Sequence, residues 1–310
     1  MKGKDSSIQE VFLPEIKSKG ISLFLKREDL LHPIISGNKY RKLFYNIQVA
    51  KKSGAKQLVT FGGAYSNHIL ATAGAGKEFG FRTIGVIRGE ELGVDLEKTL
   101  NENATLKQAR DFGMEFVFIS RSEYKLKNTQ EFLSQLQDKF KDCYILPEGG
   151  TNDLAIKGCE EIVSEATANF DVICTAVGTG GTISGIINAS KSSQRILGFP
   201  ALKGSFLKAE IENNVSKTNW NLESNYHFGG YAKINEELIT FMNDFYKETN
   251  ILLDPIYTGK MVYGVLDLIR KDAFESGTKI LLIHTGGLQG IRGMNVLLEK
   301  KGLPILANIE

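Results

Sequence analysis

Short apolar runs rich in β-branched residues recur along the chain, several ending in glycines and followed by stretches with apolar residues at helical spacing. Near-continuous apolar strands need cover on both faces, and parallel sheets under helices supply it. The expected class is therefore α/β, with open, twisted, mostly parallel sheets flanked by helices. The pattern predicts strands over 57–61, 83–88, 115–119, 143–146, 172–177, 195–199 and 279–284, and helices over 37–53, 66–79, 96–112, 129–140 and 153–168. At 310 residues the chain passes the size at which one core stops growing, so two domains with a cleft between them are expected.

Charge and composition narrow the partners. A formal net charge of +2, with acidic and basic residues nearly balanced, builds no field for nucleic acid or an anionic membrane, which leaves a small molecule as the expected partner. The opening MKGKDSSIQEVF has no apolar h-region, and no apolar run approaches a membrane span, so the expectation is a soluble, cytoplasmic protein. Cys143, Cys159 and Cys174 lack C-x-x-C pairing, and His32, His68, His227 and His284 lack metal-ligand spacing; neither a disulfide framework nor a metal site is expected.

Ligands of open α/β sheets sit beyond the carboxyl ends of the strands, so the loops there hold the candidate chemistry. After the apolar run ending near Val177 comes GTGGT, residues 178–182, whose backbone N–H groups and threonine hydroxyls can converge on a phosphate at a helix start. No Gly-Lys-[Ser/Thr] follows, so it is not a Walker loop, and taken alone it could be a tight turn and nothing more. Upstream, SGNKYRK places Lys39 at a predicted helix start, where burial and the helix dipole would both lower an amine's pKa and free it to form a Schiff base. An isolated lysine is nonetheless a surface residue by default. FGGAYSNH, residues 61–68, offers Ser66, Asn67 and backbone N–H groups to a carboxylate, with a simple N-cap as the rival explanation. DPIYTGK, 254–260, and HTGG, 284–287, add Tyr257 as an acid or base and Thr258 and Thr285 as neutral hydrogen-bonding groups.

In this order, SGNK, GGxxSN, GTGGT, DPxYTGK and HTGG resemble the motifs of the 1-aminocyclopropane-1-carboxylate deaminase and D-cysteine desulfhydrase family, whose fold is the tryptophan synthase β-like, type II pyridoxal-phosphate fold. The resemblance implies that Lys39 carries pyridoxal 5'-phosphate, that Gly178, Thr179, Gly180, Gly181 and Thr182 bind its phosphate, and that Asn67 bonds its 3′-oxygen. It implies a substrate carboxylate on Ser66 and the amides of Asn67 and His68, proton transfer by Lys39 or Tyr257, and Tyr231 as a second active-site tyrosine. Tyr65 departs from the glutamine common in relatives and would alter the carboxylate end of the pocket. Deaminases resemble one another in a glutamate after the DPxY tyrosine and a leucine before the last Gly-Gly; Thr258 and Thr285 stand there instead. Hydroxyls leave a pyridine nitrogen neutral and the electron sink weaker, which favours expelling a thiolate over opening a cyclopropane. The resulting expectation is elimination from D-cysteine to pyruvate, ammonia and hydrogen sulfide. The alternatives are deamination of 1-aminocyclopropane-1-carboxylate to 2-oxobutanoate and, more remotely, non-catalytic binding of a phosphate ligand. The same resemblance implies a homodimer, with a large cofactor-binding domain of residues 1–45 plus 159–310 and a small domain of 46–158 inserted in it.

Overall fold

The computed structural model describes residues 5–308 except 205. Its strands are β1 (Ile8–Glu10), β2 (Ser22–Lys26), β3 (Gln57–Gly62), β4 (Arg82–Arg88), β5 (Met114–Ile119), β6 (Cys143–Leu146), β7 (Val172–Val177), β8 (Arg195–Pro200), β9 (Trp220–Leu222) and β10 (Lys279–Ile283). They form two sheets, ordered β1-β2-β10-β7-β8-β9 and β5-β4-β3-β6. All pairs are parallel except β1 with β2, where Gln9 faces Leu25 across an antiparallel ladder. Every strand of the second sheet falls within residues 57–146, whereas the first combines β1 and β2 with strands that follow residue 171.

All the predicted strands form, with ends shifted by a residue at most. Val172 to Val177 are buried throughout, as a central parallel strand covered on both faces requires. The pattern missed β1, β2 and β9. The first and last are three-residue edge strands formed by pairing with a neighbour, and β2 reads poorly because it ends in Lys26, a fully buried lysine paired with Asp5 at 2.8 Å.

Two predicted helices are shorter than expected. The segment 96–112 divides into Leu96–Glu102 and Ala104–Asp111 because Asn103 turns extended and its side chain accepts from Leu106 N at 2.9 Å, capping the second piece. The segment 153–168 stops at Glu160, and its remainder is a single 3₁₀ turn, Glu165–Thr167, where the Ser164 backbone N–H donates to Thr167 Oγ1. In the first case a polar side chain bonds nearby backbone and competes with the continuing helix; in the second the helix has already ended at Glu160 before the 3₁₀ turn forms.

The helix Asn38–Lys52 packs closely on Asp153–Glu160, which packs in turn on Gly181–Ala189. Glycines permit the approach: a Cβ on Gly158 would lie 2.0 Å from the Arg41 carbonyl oxygen, and one on Gly185 would lie 2.6 Å from the Ile156 carbonyl oxygen. Gly158→Ala therefore forces two backbones apart, and the thermal midpoint of the variant is expected to fall sharply, whereas Gly54→Ala, with nothing within 4 Å of its Cβ position, is strained only by its φ of +75° and costs less.

Candidate active site

The cleft begins where β7 ends. Gly178, Thr179 and Gly180 lead from the strand into the helix Gly181–Ala189, with Gly180 in the left-handed region at φ +84°. A Cβ on Gly178 would crowd the Tyr257 ring at 3.2 Å. The helix start and the loop amides give a concave set of donors suited to a phosphate.

Opposite it, the helix Asn38–Lys52 begins under unusual restraint. Gly37 has φ +62°, and a Cβ on it would lie 1.9 Å from the Thr285 carbonyl oxygen, which accepts from Asn38 N at 3.2 Å. The loop after β10 is thus pressed onto the first turn that presents Lys39. Gly37→Ala is both clashing and conformationally strained, and is expected to remove more than about 1 kcal/mol of stability together with cofactor retention, read by thermal unfolding and bound-cofactor absorbance. Asn38 Nδ2 donates to Thr182 Oγ1 at 2.8 Å and ties the helix to the loop after β7.

Around these elements is a cleft lined by Lys39, Asn67, Gly178, Thr179, Gly180, Thr182, Tyr257 and Thr285, among others. The Lys39 amine makes no hydrogen bond to any described residue, and loss of hydration, then the nearby Lys42 ammonium, lowers its pKa to about 7. A neutral amine with an unshared electron pair is thereby available near neutrality. The rate at which the apoprotein captures an aldehyde cofactor should rise about tenfold from pH 6 to pH 8 and then level off; a rate still climbing toward pH 10 would show an ordinary lysine.

Lys42 escaped the sequence reading. It lies three residues along the same helix face as Lys39 and is 2% exposed, with Nζ donating to Gly149 O, Thr151 Oγ1 and Thr179 Oγ1 at 3.1, 2.8 and 3.4 Å. It therefore adds a cation to the anion cradle. Asp254 was missed too. Its carboxylate accepts from the N–H groups of Ile256, Tyr257 and Thr258 and from the Thr258 hydroxyl, at 2.7–3.0 Å, which fixes the backbone that carries Tyr257.

Other expected residues are placed differently. Thr258 is fully buried outside the cleft lining, its hydroxyl donating to Asp254 Oδ2 and accepting from Asp254 N, so it presents no free group to a ligand, unlike Thr285. Ser66 caps the helix Asn67–Phe79 by accepting from Ile69 N at 3.4 Å. Asn67 Oδ1 accepts from Gln289 Nε2 at 2.6 Å, which leaves its amide nitrogen as donor beside Gly287. The His68 ring is buried away from the cleft, 2.8 Å from Thr60 Oγ1, and burial together with Lys39 and Lys42 holds it well below the usual imidazole range, hence neutral. Tyr65 is exposed and its ring abuts Gly293 rather than the cleft lining, and Gly181, also outside that lining, begins the helix beneath Thr151. Tyr231 meets Tyr257 edge to face at 6.2 Å between centroids, while burial, then Tyr231 and Asp254, push the Tyr257 phenol well above its ordinary pKa.

A desolvated, unbonded amine facing a glycine cradle with a buried second cation fits one chemical class of ligand: an aldehyde that carries a phosphate. Comparison with known proteins gives the same answer. Residues 11–286 match the family model described as "Pyridoxal-phosphate dependent enzyme". A putative 1-aminocyclopropane-1-carboxylate deaminase of Pyrococcus horikoshii is 32% identical over 299 residues, covering 90% of this chain and 89% of that one. The D-cysteine desulfhydrase of Klebsiella pneumoniae is 26% identical, covering 89% and 90%. Among solved structures, an ACC deaminase homologue superposes with TM-score 0.77 at 30% identity, covering 93% of this chain and 90% of that one. The chain belongs to the pyridoxal-phosphate-dependent enzymes, in the family of 1-aminocyclopropane-1-carboxylate deaminases and D-cysteine desulfhydrases. Its cofactor is pyridoxal phosphate, and no described helix is long and apolar enough to cross a membrane.

Proposed function

We propose that the protein eliminates the β-substituent of D-cysteine, giving pyruvate, ammonia and hydrogen sulfide. The observation behind this reading is the hydroxyl of Thr285 at the cleft wall, together with the engagement of the nearby carboxylate, Asp254, by four donors. Such a wall leaves no free carboxylate to hold a proton on a pyridine nitrogen and supports a weaker electron sink, sufficient for loss of a good leaving group. Relatives bear both names, and one from Arabidopsis thaliana, 31% identical, is named as a bifunctional D-cysteine desulfhydrase/1-aminocyclopropane-1-carboxylate deaminase, so deamination is the second reading.

In this proposal Lys39 holds the cofactor, and the amides of Gly178, Gly180 and Gly181 with the Thr179 and Thr182 hydroxyls hold its phosphate, with Lys42 balancing the charge. Asn67 donates to the 3′-oxygen. Ser66, with the Asn67 and His68 amides, receives the substrate carboxylate at the start of a helix, where the dipole favours an anion. Bound pyridoxal phosphate supplies a sink for the electrons left when the α-proton departs. The lowered pKa of Lys39 suits its amine to take that proton at neutral pH, and the raised pKa of Tyr257 keeps that phenol protonated, able to donate to the departing sulfur. Tyr231 closes over Tyr257 at the rim and limits water there.

The proposal extends to a cytoplasmic homodimer with the cofactor domain at 1–45 plus 159–310 and a substrate-side domain at 46–158; the three unpaired thiols, two of them buried, suit a reducing compartment. Sedimentation of the holoenzyme tests the dimer. For the reaction, the protein loaded with cofactor is given D-cysteine and 1-aminocyclopropane-1-carboxylate in parallel. Pyruvate with sulfide from the first and little 2-oxobutanoate from the second is the expected result; the reverse would show that a hydroxyl wall suffices for ring opening.

A further inference from the structure

The lysine that closes DPIYTGK is buried in a place that packing alone does not explain. Lys260 is 1% exposed and makes no ion pair with any described residue, yet it donates to the carbonyl oxygens of His227 and Gly230 at 2.9 and 2.8 Å. A buried ammonium carries a desolvation penalty that a methionine of similar volume avoids, so the two carbonyls mark what the ammonium does there.

Those carbonyls belong to a segment that needs an external hold. Phe228, Gly229, Gly230 and Ala232 have φ of +52°, +93°, +117° and +54°, a run of left-handed conformations that is costly at its two non-glycine positions. Internal restraint is limited to short turns, Gly230 N to His227 O and Lys233 N to Gly230 O, with Gly229 N donating to His227 Nδ1. Tyr231 projects from the middle of this segment onto Tyr257. Tyr257 precedes the helix Thr258–Arg270 directly, and Lys260 lies in that helix's first turn. One helix start therefore bears one phenol and, through the Lys260 ammonium, grips the loop bearing the other.

We propose that Lys260 is a positioning residue that acts through Tyr231, clamping the 227–232 loop so that the second phenol stays on Tyr257 at the cleft. This rests on the reading of Tyr231 and Tyr257 as active-site groups, and the test separates the two. Holoenzymes of Lys260→Met, Tyr231→Phe and the double variant are compared with wild type for kcat and KM on the substrate identified by the product assay, with bound-cofactor absorbance as a control. Each single change is expected to lower kcat by about ten- to a hundredfold with the absorbance retained, and the double variant to fall no further than the worse single one, because both remove the same interaction. Lys260→Arg, which keeps a charged multiple donor, should recover a substantial part of the activity. Multiplicative losses in the double variant, or Lys260→Met within twofold of wild type, would overturn the proposal. A silent Tyr231→Phe beside a damaged Lys260→Met would overturn the reading of Tyr231 and the route through it. Should Lys260→Met fail to fold, Lys260→Gln replaces it with the same expectations, since its side chain is one bond shorter than lysine's and its amide does not reach both carbonyls.

Discussion

Lys39→Ala is expected to lower kcat/KM on D-cysteine by at least about 10⁴-fold, because the proposed mechanism makes one side chain both the covalent anchor and the base for the α-proton. The fold should persist. The Lys39 amine makes no hydrogen bond to any described residue, and its removal lifts the desolvation that burial imposes on it. Thermal unfolding of the variant apoprotein should match or exceed the wild-type midpoint while the visible absorbance of the lysine-linked cofactor disappears. Lys42→Ala is expected to give a contrasting pattern, weakening cofactor retention while leaving Lys39 able to react, since Lys42 bonds to Gly149, Thr151 and Thr179 at the end proposed to hold the phosphate. Full activity in Lys39→Ala would refute the assignment.

The largest effect on stability is expected at Glu28 and Arg41. Both are essentially fully buried, and they meet through paired bonds, Arg41 Nε to Glu28 Oε2 at 2.8 Å and Nη2 to Oε1 at 2.9 Å. Ser6 Oγ donates to Glu28 Oε1 as well, at 2.6 Å. Removing Glu28 leaves the buried Arg41 guanidinium facing only the more distant, partly exposed Glu161, 3.6 Å from Nη1, so Glu28→Ala should still cost about 3 kcal/mol. Replacing both, as in Glu28→Gln with Arg41→Met, leaves no unpaired charge and should recover much of that loss. Chemical unfolding of the variants checks this; a cost under about 1 kcal/mol for Glu28→Ala would mean that water reaches the pair. Because Arg41 shares a helix with Lys39 and Lys42, the weakened variant should also retain cofactor poorly.

The strand framework was legible because burial on both faces writes itself into a sequence as an apolar run, and the five predicted helices were legible up to Asn103 and Glu160, whereas Glu236–Thr249, Thr258–Arg270 and Gly290–Lys300 escaped the pattern. Edge strands carry no such signature. At the site, the glycine loop and the polar helix starts announced themselves by residue type, and the cleft brings Lys39, Asn67, Thr182, Tyr257 and Thr285 together from distant parts of the chain. Lys42 and Lys260 did not stand out, since a buried lysine has the same letter as the many exposed ones. The spacing of Lys42 from Lys39 was the one available clue. Thr258 misled in the other direction: its place in the motif pointed to a ligand, but its hydroxyl is spent on Asp254, whose role depends on four donors that only the folded turn assembles.

Three buried lysines, Lys39, Lys42 and Lys260, are each shifted downward in pKa by loss of hydration, and any of them could in principle react with an aldehyde. Borohydride reduction of the holoenzyme followed by peptide mapping by mass spectrometry distinguishes them directly. The account predicts the pyridoxyl label on Lys39 alone. A label on Lys42 or Lys260 would contradict it, and with it the assignment of the cleft.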